Sequence, residues 1–129
     1  MTAPHLPDDL SVPDAPVRVV PLTADLGVTA GQRLILLSLE VWPQWADLRF
    51  ARIDVGAARP LPRRVPPVAA WTVTCDDEPL EVVDAVGRGD RNFSNGEVRL
   101  RPVPPAGATL HVRVEVVPGA PRLSASVNI

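Results

Sequence analysis

The sequence predicts an all-β protein, a two-layer antiparallel β-sandwich of about seven or eight strands, spanning residues 18–129 behind a flexible proline-rich arm, residues 1–17. Three observations carry this. From Val98 to Ile129 apolar and polar side chains alternate almost without a break, the period of a strand with one wet face. Clusters of Pro, Gly, Asp and Asn recur at roughly ten-residue intervals, the spacing of turns between short strands. Helix-length stretches with an apolar period near 3.6 are missing, and 16 prolines in 129 residues, against a usual share of about 5%, leave little room for long helices.

Each element follows from local pattern. The arm holds Pro4, Pro7, Pro13 and Pro16 with three aspartates. Folding begins at Arg18–Leu22, where Pro21 assigns the strand to a sheet edge. Arg33 to Trp42 sets Ile35, Leu37, Leu39 and Val41 on one face and Ser38 and Glu40 on the other, with Leu34 and Leu36 marking an end covered on both sides. Ala46 to Val55 points Leu48 and Phe50 inward; a bulge at Ala51 then transfers the apolar face to Ile53 and Val55. Residues 57–67, with four prolines, form a loop or extended edge. Trp71, Val73 and Cys75 alternate with Thr72 and Thr74; Asp76-Asp77-Glu78-Pro79 turns the chain. Leu80 to Val86 is the expected partner strand. Gly87 to Gly96 reads as a glycine-rich loop with Asn95-Gly96 as a tight turn. Val98–Arg101, Leu110–Val116 and Leu123–Ile129, joined by Pro104–Gly107 and Pro118–Pro121, then form a meander.

Composition narrows the function classes. All 13 basic residues are arginine, and an Arg, Ala, Val and Pro bias without lysine is the mark of a high-GC coding sequence. A net charge of −2 gives no electrostatic footprint for nucleic acid or an anionic membrane. The first residues lack the basic and apolar regions of a signal peptide, and no apolar run is long enough for a membrane span; the expectation is a cytoplasmic protein. Cys75, alone, has no partner for an internal disulfide.

Trp71-x-Val73-x-Cys75, the acidic turn Asp76–Glu78, the glycine-rich stretch and Pro104-Pro105-Ala106-Gly107-Ala108 before a valine-rich strand resemble the immunoglobulin-like sandwich superfold. The same residues are similar to small actinobacterial β-sandwich proteins that carry Trp-x-Val-x-Asp-Asp followed by Pro-Pro-Gly-Ala. The Cys–Trp–Cys framework of antibody domains is absent. The resemblance implies a sandwich over residues 18–129 and brings no activity with it.

Groups able to do chemistry are few. The histidines are His5, in the arm, and His111, on the wet side of a strand, and no serine sits in a Gly-x-Ser-x-Gly elbow. Two histidines and one cysteine cannot supply a zinc site at sensible spacing. Gly87-Arg88-Gly89-Asp90 lacks the third glycine of a dinucleotide loop, and its Arg88-Gly89-Asp90 reads as a solvated turn rather than an adhesion motif. No cofactor is expected. Asp76, Asp77 and Glu78, with Asp84, are the weak metal candidates, for calcium. Trp42 and Trp45 are candidates to seal the sandwich end, anchor a partner protein or stack on a sugar. Arg99, Arg101, His111 and Arg113 share the outward phase of an expected hairpin and would form a basic stripe, either a wet sheet face with cross-strand pairing or a surface able to dock an acidic partner. The proline-rich segment 59–67 misses the Arg-x-x-Pro-x-x-Pro register of a groove ligand at Val65. The reading is a non-enzymatic protein-interaction or structural module whose partner is a protein, a second copy of itself included; the alternative is a sandwich that binds calcium or carbohydrate through its end loops.

Overall fold

A strand buries every second side chain, so a chain of short alternating runs hides its apolar rows by stacking two sheets. The structure, a computed structural model, describes residues 15–56, 65–89 and 92–129. Its strands are β1 (Arg18–Thr29), β2 (Gln32–Val41), β3 (Ala46–Asp54), β4 (Trp71–Cys75), β5 (Glu78–Pro79), β6 (Glu81–Gly89), β7 (Phe93–Arg101), β8 (Thr109–Val114) and β9 (Leu123–Asn128), with a 3-10 turn at Val68–Ala70. One antiparallel sheet has the order β1-β2-β3-β7-β6 and the other β5-β4-β8-β9. The protein is an all-β sandwich. The strand beyond the expected number is the two-residue β5. Most of the expected arm, and residues 57–64 of the proline-rich segment, lie outside the described residues.

The core forms where the inward rows meet. Leu34, Leu36, Leu39, Leu48, Phe50, Val98 and Leu100 from the five-stranded sheet face Trp71, Val73, Leu110, Val112 and Val114 from the other, all buried. The Phe50 and Trp71 rings meet across the layers, centroids 5.0 Å apart and tilted by 49°, an attractive aromatic geometry. The Trp71 Nε1–H donates to Pro66 O at 3.2 Å, so the indole enters the core with its polar atom satisfied.

The structure corrects five expectations. In β2 the inward residues are Leu34 and Leu36, then Leu39 and Val41; Leu37 is exposed and lies at a register shift between Leu36 and Ser38, so Ile35 and Leu37 are not core residues. β3 runs beside β7 without irregularity, so no bulge occurs at Ala51. Alternation simply continues inward from Phe50 to Arg52, which is 1% exposed. The Arg52 Nε–H donates to Ser94 Oγ at 3.0 Å and its Nη1–H to Gln32 Oε1, a buried polar cluster in place of the apolar end expected from Ile53 and Val55.

Leu80–Val86 is not the partner of β4. Of this stretch Glu78 and Pro79 pair with β4 and the Leu80 N–H donates to Val73 O at 2.9 Å, after which the chain crosses to the five-stranded sheet as β6. Gly87–Gly89 and Phe93–Gly96 are strand rather than loop, since β6 continues to Gly89 and β7 begins at Phe93; Asp90 and Arg91 lie outside the described residues. Asn95-Gly96 is strand, and its glycine serves close approach rather than a turn: a Cβ there would lie 2.1 Å from Val86 O. Lastly, Val98–Ile129 is not one meander. β7 lies in one sheet and β8 and β9 in the other, with the Pro104–Gly107 turn carrying the chain between layers.

Replacing Gly96 by Ala is expected to cost about 1–3 kcal/mol by forcing β6 away from β7, measured by urea denaturation. An unchanged midpoint would show that the two strands do not meet there.

Candidate functional site

Hydrogen-bonded cross-strand neighbours share a face, so register decides which outward side chains meet. In the five-stranded sheet Glu40 stands opposite Asp47, Asp47 opposite Arg99 and Arg99 opposite Asp84. Arg99 donates Nε–H to Asp47 Oδ1 at 3.0 Å and Nη2–H to Asp47 Oδ2 at 3.3 Å, the two-pronged geometry that a guanidinium offers a carboxylate. That hydrogen bond holds the guanidinium charged above its ordinary range, against a smaller opposing effect of burial; Asp47, Asp84 and Glu97 add attraction.

The fixed guanidinium carries an aromatic stack. Arg99 Cζ lies 4.4 Å from the Trp45 ring centroid, within cation–π range. Trp45 stacks in turn on Trp42, centroids 6.1 Å apart and planes at 26°. The Trp42 N–H closes the turn by donating to Trp45 O at 2.9 Å. Both indoles are partly buried, and among the described residues neither Nε1–H finds an acceptor. Asp47, Arg99, Trp45 and Trp42 thus form one chain of contacts on the outer face of the five-stranded sheet. Beside it Pro43, Pro79, Glu81, Arg101, Pro102 and Val103 line an open groove of about 720 Å³ at the sandwich end. Further along the same face, one row holds Val28, Arg33, Ile53 and Phe93, with Val28 and Phe93 each 45% exposed.

The basic stripe is not formed. Arg99 and Arg101 project from the five-stranded sheet, His111 and Arg113 from the other, on opposite sides of the molecule. Arg99 is paired with Asp47, and Arg101 lies 4.0 Å from Glu81. Arg49 is likewise neutralised, 3.6 Å from Glu40 and 3.7 Å from Glu97. The face around Trp45 is thus charge-balanced rather than basic.

The acidic candidates also separate. Asp76 and Asp77 have φ of 47° and 70°, the left-handed pair of a two-residue hairpin turn that short polar side chains tolerate. The Thr109 N–H donates to Asp76 Oδ1 at 2.9 Å, which ties the turn to β8. Asp84 sits in the other sheet and accepts from the Ala85 N–H at 2.9 Å. Among the described residues no three His, Cys, Asp or Glu side chains gather as a metal site.

His111 faces solvent as expected, its Nδ1 2.9 Å from Ser126 Oγ across the β8–β9 pair. The two residues share a shallow depression of about 370 Å³ with Thr74, Asp76, Asp77 and Thr109. A nucleophilic serine needs an imidazole oriented by a third group; among the described residues no carboxylate hydrogen-bonds to His111, and Asp76 Oδ1 is engaged by Thr109. The arrangement is a cross-strand polar pair. Cys75 is buried, and burial, with Asp76 adding to it, raises its thiol pKa above the ordinary 9.0.

Compared with family models, curated proteins and solved structures, the chain matches none of them. Among the described residues no helix is long and apolar enough to cross a membrane.

Three measurements check this geometry. A double-mutant cycle of Asp47→Ala and Arg99→Ala is expected to give a coupling of about 0.5–1 kcal/mol, small because Arg99 is partly solvated; zero coupling would refute the ion pair. At mildly alkaline pH the native Cys75 thiol is expected to react with a disulfide reagent about tenfold or more slowly than in urea. Because its folded pKa is raised, its contribution to stability is complete below the unfolded value and is lost as pH climbs through the folded one. Denaturation midpoints therefore fall above pH 9.0 and stay flat there in Cys75→Ala; equal fall in both chains would refute the assignment.

Proposed function

We propose that the protein is a non-enzymatic interaction module that docks a partner protein on the outer face of its five-stranded sheet, with Trp45 at the contact's centre. The observation that carries this reading is the Asp47–Arg99–Trp45–Trp42 stack. Tryptophan and arginine are the side chains that most often dominate protein interfaces, and they do so where their geometry is fixed before the partner arrives. Here the carboxylate fixes the guanidinium and the guanidinium fixes the indole. The two-layer sandwich supports the reading at the level of a scaffold whose outer sheet face can present such groups.

Charge balance and exposed apolar side chains define the partner. Acids neutralise the arginines of this face, so a highly acidic ligand gains little from it. Val28 and Phe93 leave apolar surface within the same face, which suits a protein surface with an apolar centre and a mixed-charge rim. The calcium alternative has no carboxylate cluster among the described residues to favour it.

The test is affinity capture from the source cells, followed by binding measurements with the purified partner. Trp45→Ala and Phe93→Ser are each expected to weaken binding about tenfold or more, with circular dichroism unchanged. Unaltered affinity in both variants, or a wild-type chain that retains no partner, would overturn the proposal.

A further inference from the structure

A sheet ends in strands whose outer backbone groups lack a neighbour, and folded proteins blunt such edges with proline, lysine, bulges or brevity. Three of the four terminal strands here are blunted. β5 is two residues long and contains Pro79. β1 contains Pro21 and two register shifts, and it lies against β9, the end of the other sheet. β6 is nine residues long with neither proline nor lysine. Its one irregularity falls between Val82 and Asp84, leaving Asp84–Arg88 as regular strand. Among the described residues, no backbone hydrogen bond from outside the sheet reaches residues 82–88.

Close contacts show which groups face the open edge. A Cβ on Gly96 would lie 2.1 Å from Val86 O, and one on Gly87 would lie 2.8 Å from Asn95 O. Val86 and Arg88 therefore turn their backbone groups toward β7, and by alternation Ala85 and Gly87 turn theirs outward. Consistent with this, the Ala85 N–H donates to a side chain, Asp84 Oδ1, at 2.9 Å.

We propose that β6 is a self-docking edge, through which two copies of this chain pair antiparallel about a two-fold axis at Val86. In that register Ala85 faces Gly87 of the second copy on either side of the axis, and both pairs exchange backbone hydrogen bonds. Val86, 44% exposed, meets its own counterpart. Asp84 faces Arg88 of the second copy, and the symmetry repeats that ion pair. The charge pattern selects the register: an axis at Asp84 or at Arg88 would oppose like charges. As the strands join, Gly87 O of the second copy replaces Asp84 as acceptor for the Ala85 N–H and frees the carboxylate for Arg88. The interface is small, so the dimer belongs to the weak class.

Sedimentation velocity of the full chain over a wide concentration range tests this. The wild type is expected to dimerise at high concentration, and Val86→Lys, a surface change, to weaken the dimer about tenfold or more. Asp84→Arg and Arg88→Asp are each expected to be monomeric, with circular dichroism confirming the fold. Mixed in equal amounts, these two variants are expected to form a heterodimer, since every Asp84–Arg88 position is then occupied by opposite charges. A wild type that stays monomeric throughout, a Val86→Lys chain that dimerises normally, or folded charge variants that do not pair with one another would each overturn the proposal. The experiment is independent of docking at Trp45, and either can fail while the other succeeds.

Discussion

The alternation of side chains across each strand requires two apolar surfaces to cover one another. Leu110, Val112 and Val114 are fully buried only because Leu34, Leu48, Phe50, Val98 and Leu100 face them from the other layer. Neither sheet could keep those rows dry alone. The crossovers follow from this need. The chain leaves β5 for the first sheet and returns after β7, so each layer is assembled from separate parts of the sequence and neither is complete until both are present.

What the sequence disclosed, and what it concealed, divides along the same line. β4, β8 and β9 and the inward positions of Trp71, Val73, Cys75, Leu110, Val112 and Val114 were legible because a face is written locally, in every second residue. The sheet to which a strand belongs is not local. β7 and β8 follow one another with a turn between them, as a hairpin would, and nothing in their alternation distinguishes a hairpin from a crossing. Phase errors have a different source. The apolar side chains of Ile53 and Val55 imply a slip at Ala51, and a buried charge is costly unless it is hydrogen-bonded. The fold instead buries Arg52 with Gln32 and Ser94 and places its extra residue in β2, at Leu37.

The candidate site was half legible. That Trp42 and Trp45 would stand outside the core was readable from strand phase and from the Pro43-Gln44 turn. Asp47 was missed, since it lies 52 residues from Arg99 and only the sheet register unites them. The basic stripe and the weak calcium candidates come apart for one shared reason: residues near one another in sequence need not share a surface, and the layer boundary runs between them. In space Arg99 and Arg101 are cross-strand partners of Asp47 and Glu81, while Asp76 and Asp84 each accept from a backbone N–H.

The irregularities are unevenly distributed. The pairs β3–β7, β4–β8 and β8–β9 keep unbroken register, whereas shifts occur where β1 meets β2, where β2 meets β3 and where β6 meets β7. An extra residue in a strand bends it and adds twist while leaving the rows on either side in phase. The molecule therefore contains places that can absorb a gain or loss of one residue, near Leu37 and Val83, and places that cannot, such as the run from Ala46 to Ile53. Within the strands, length variation among descendants of this chain would fall at the former, and the straight central ladder would keep a constant length as its side chains drift.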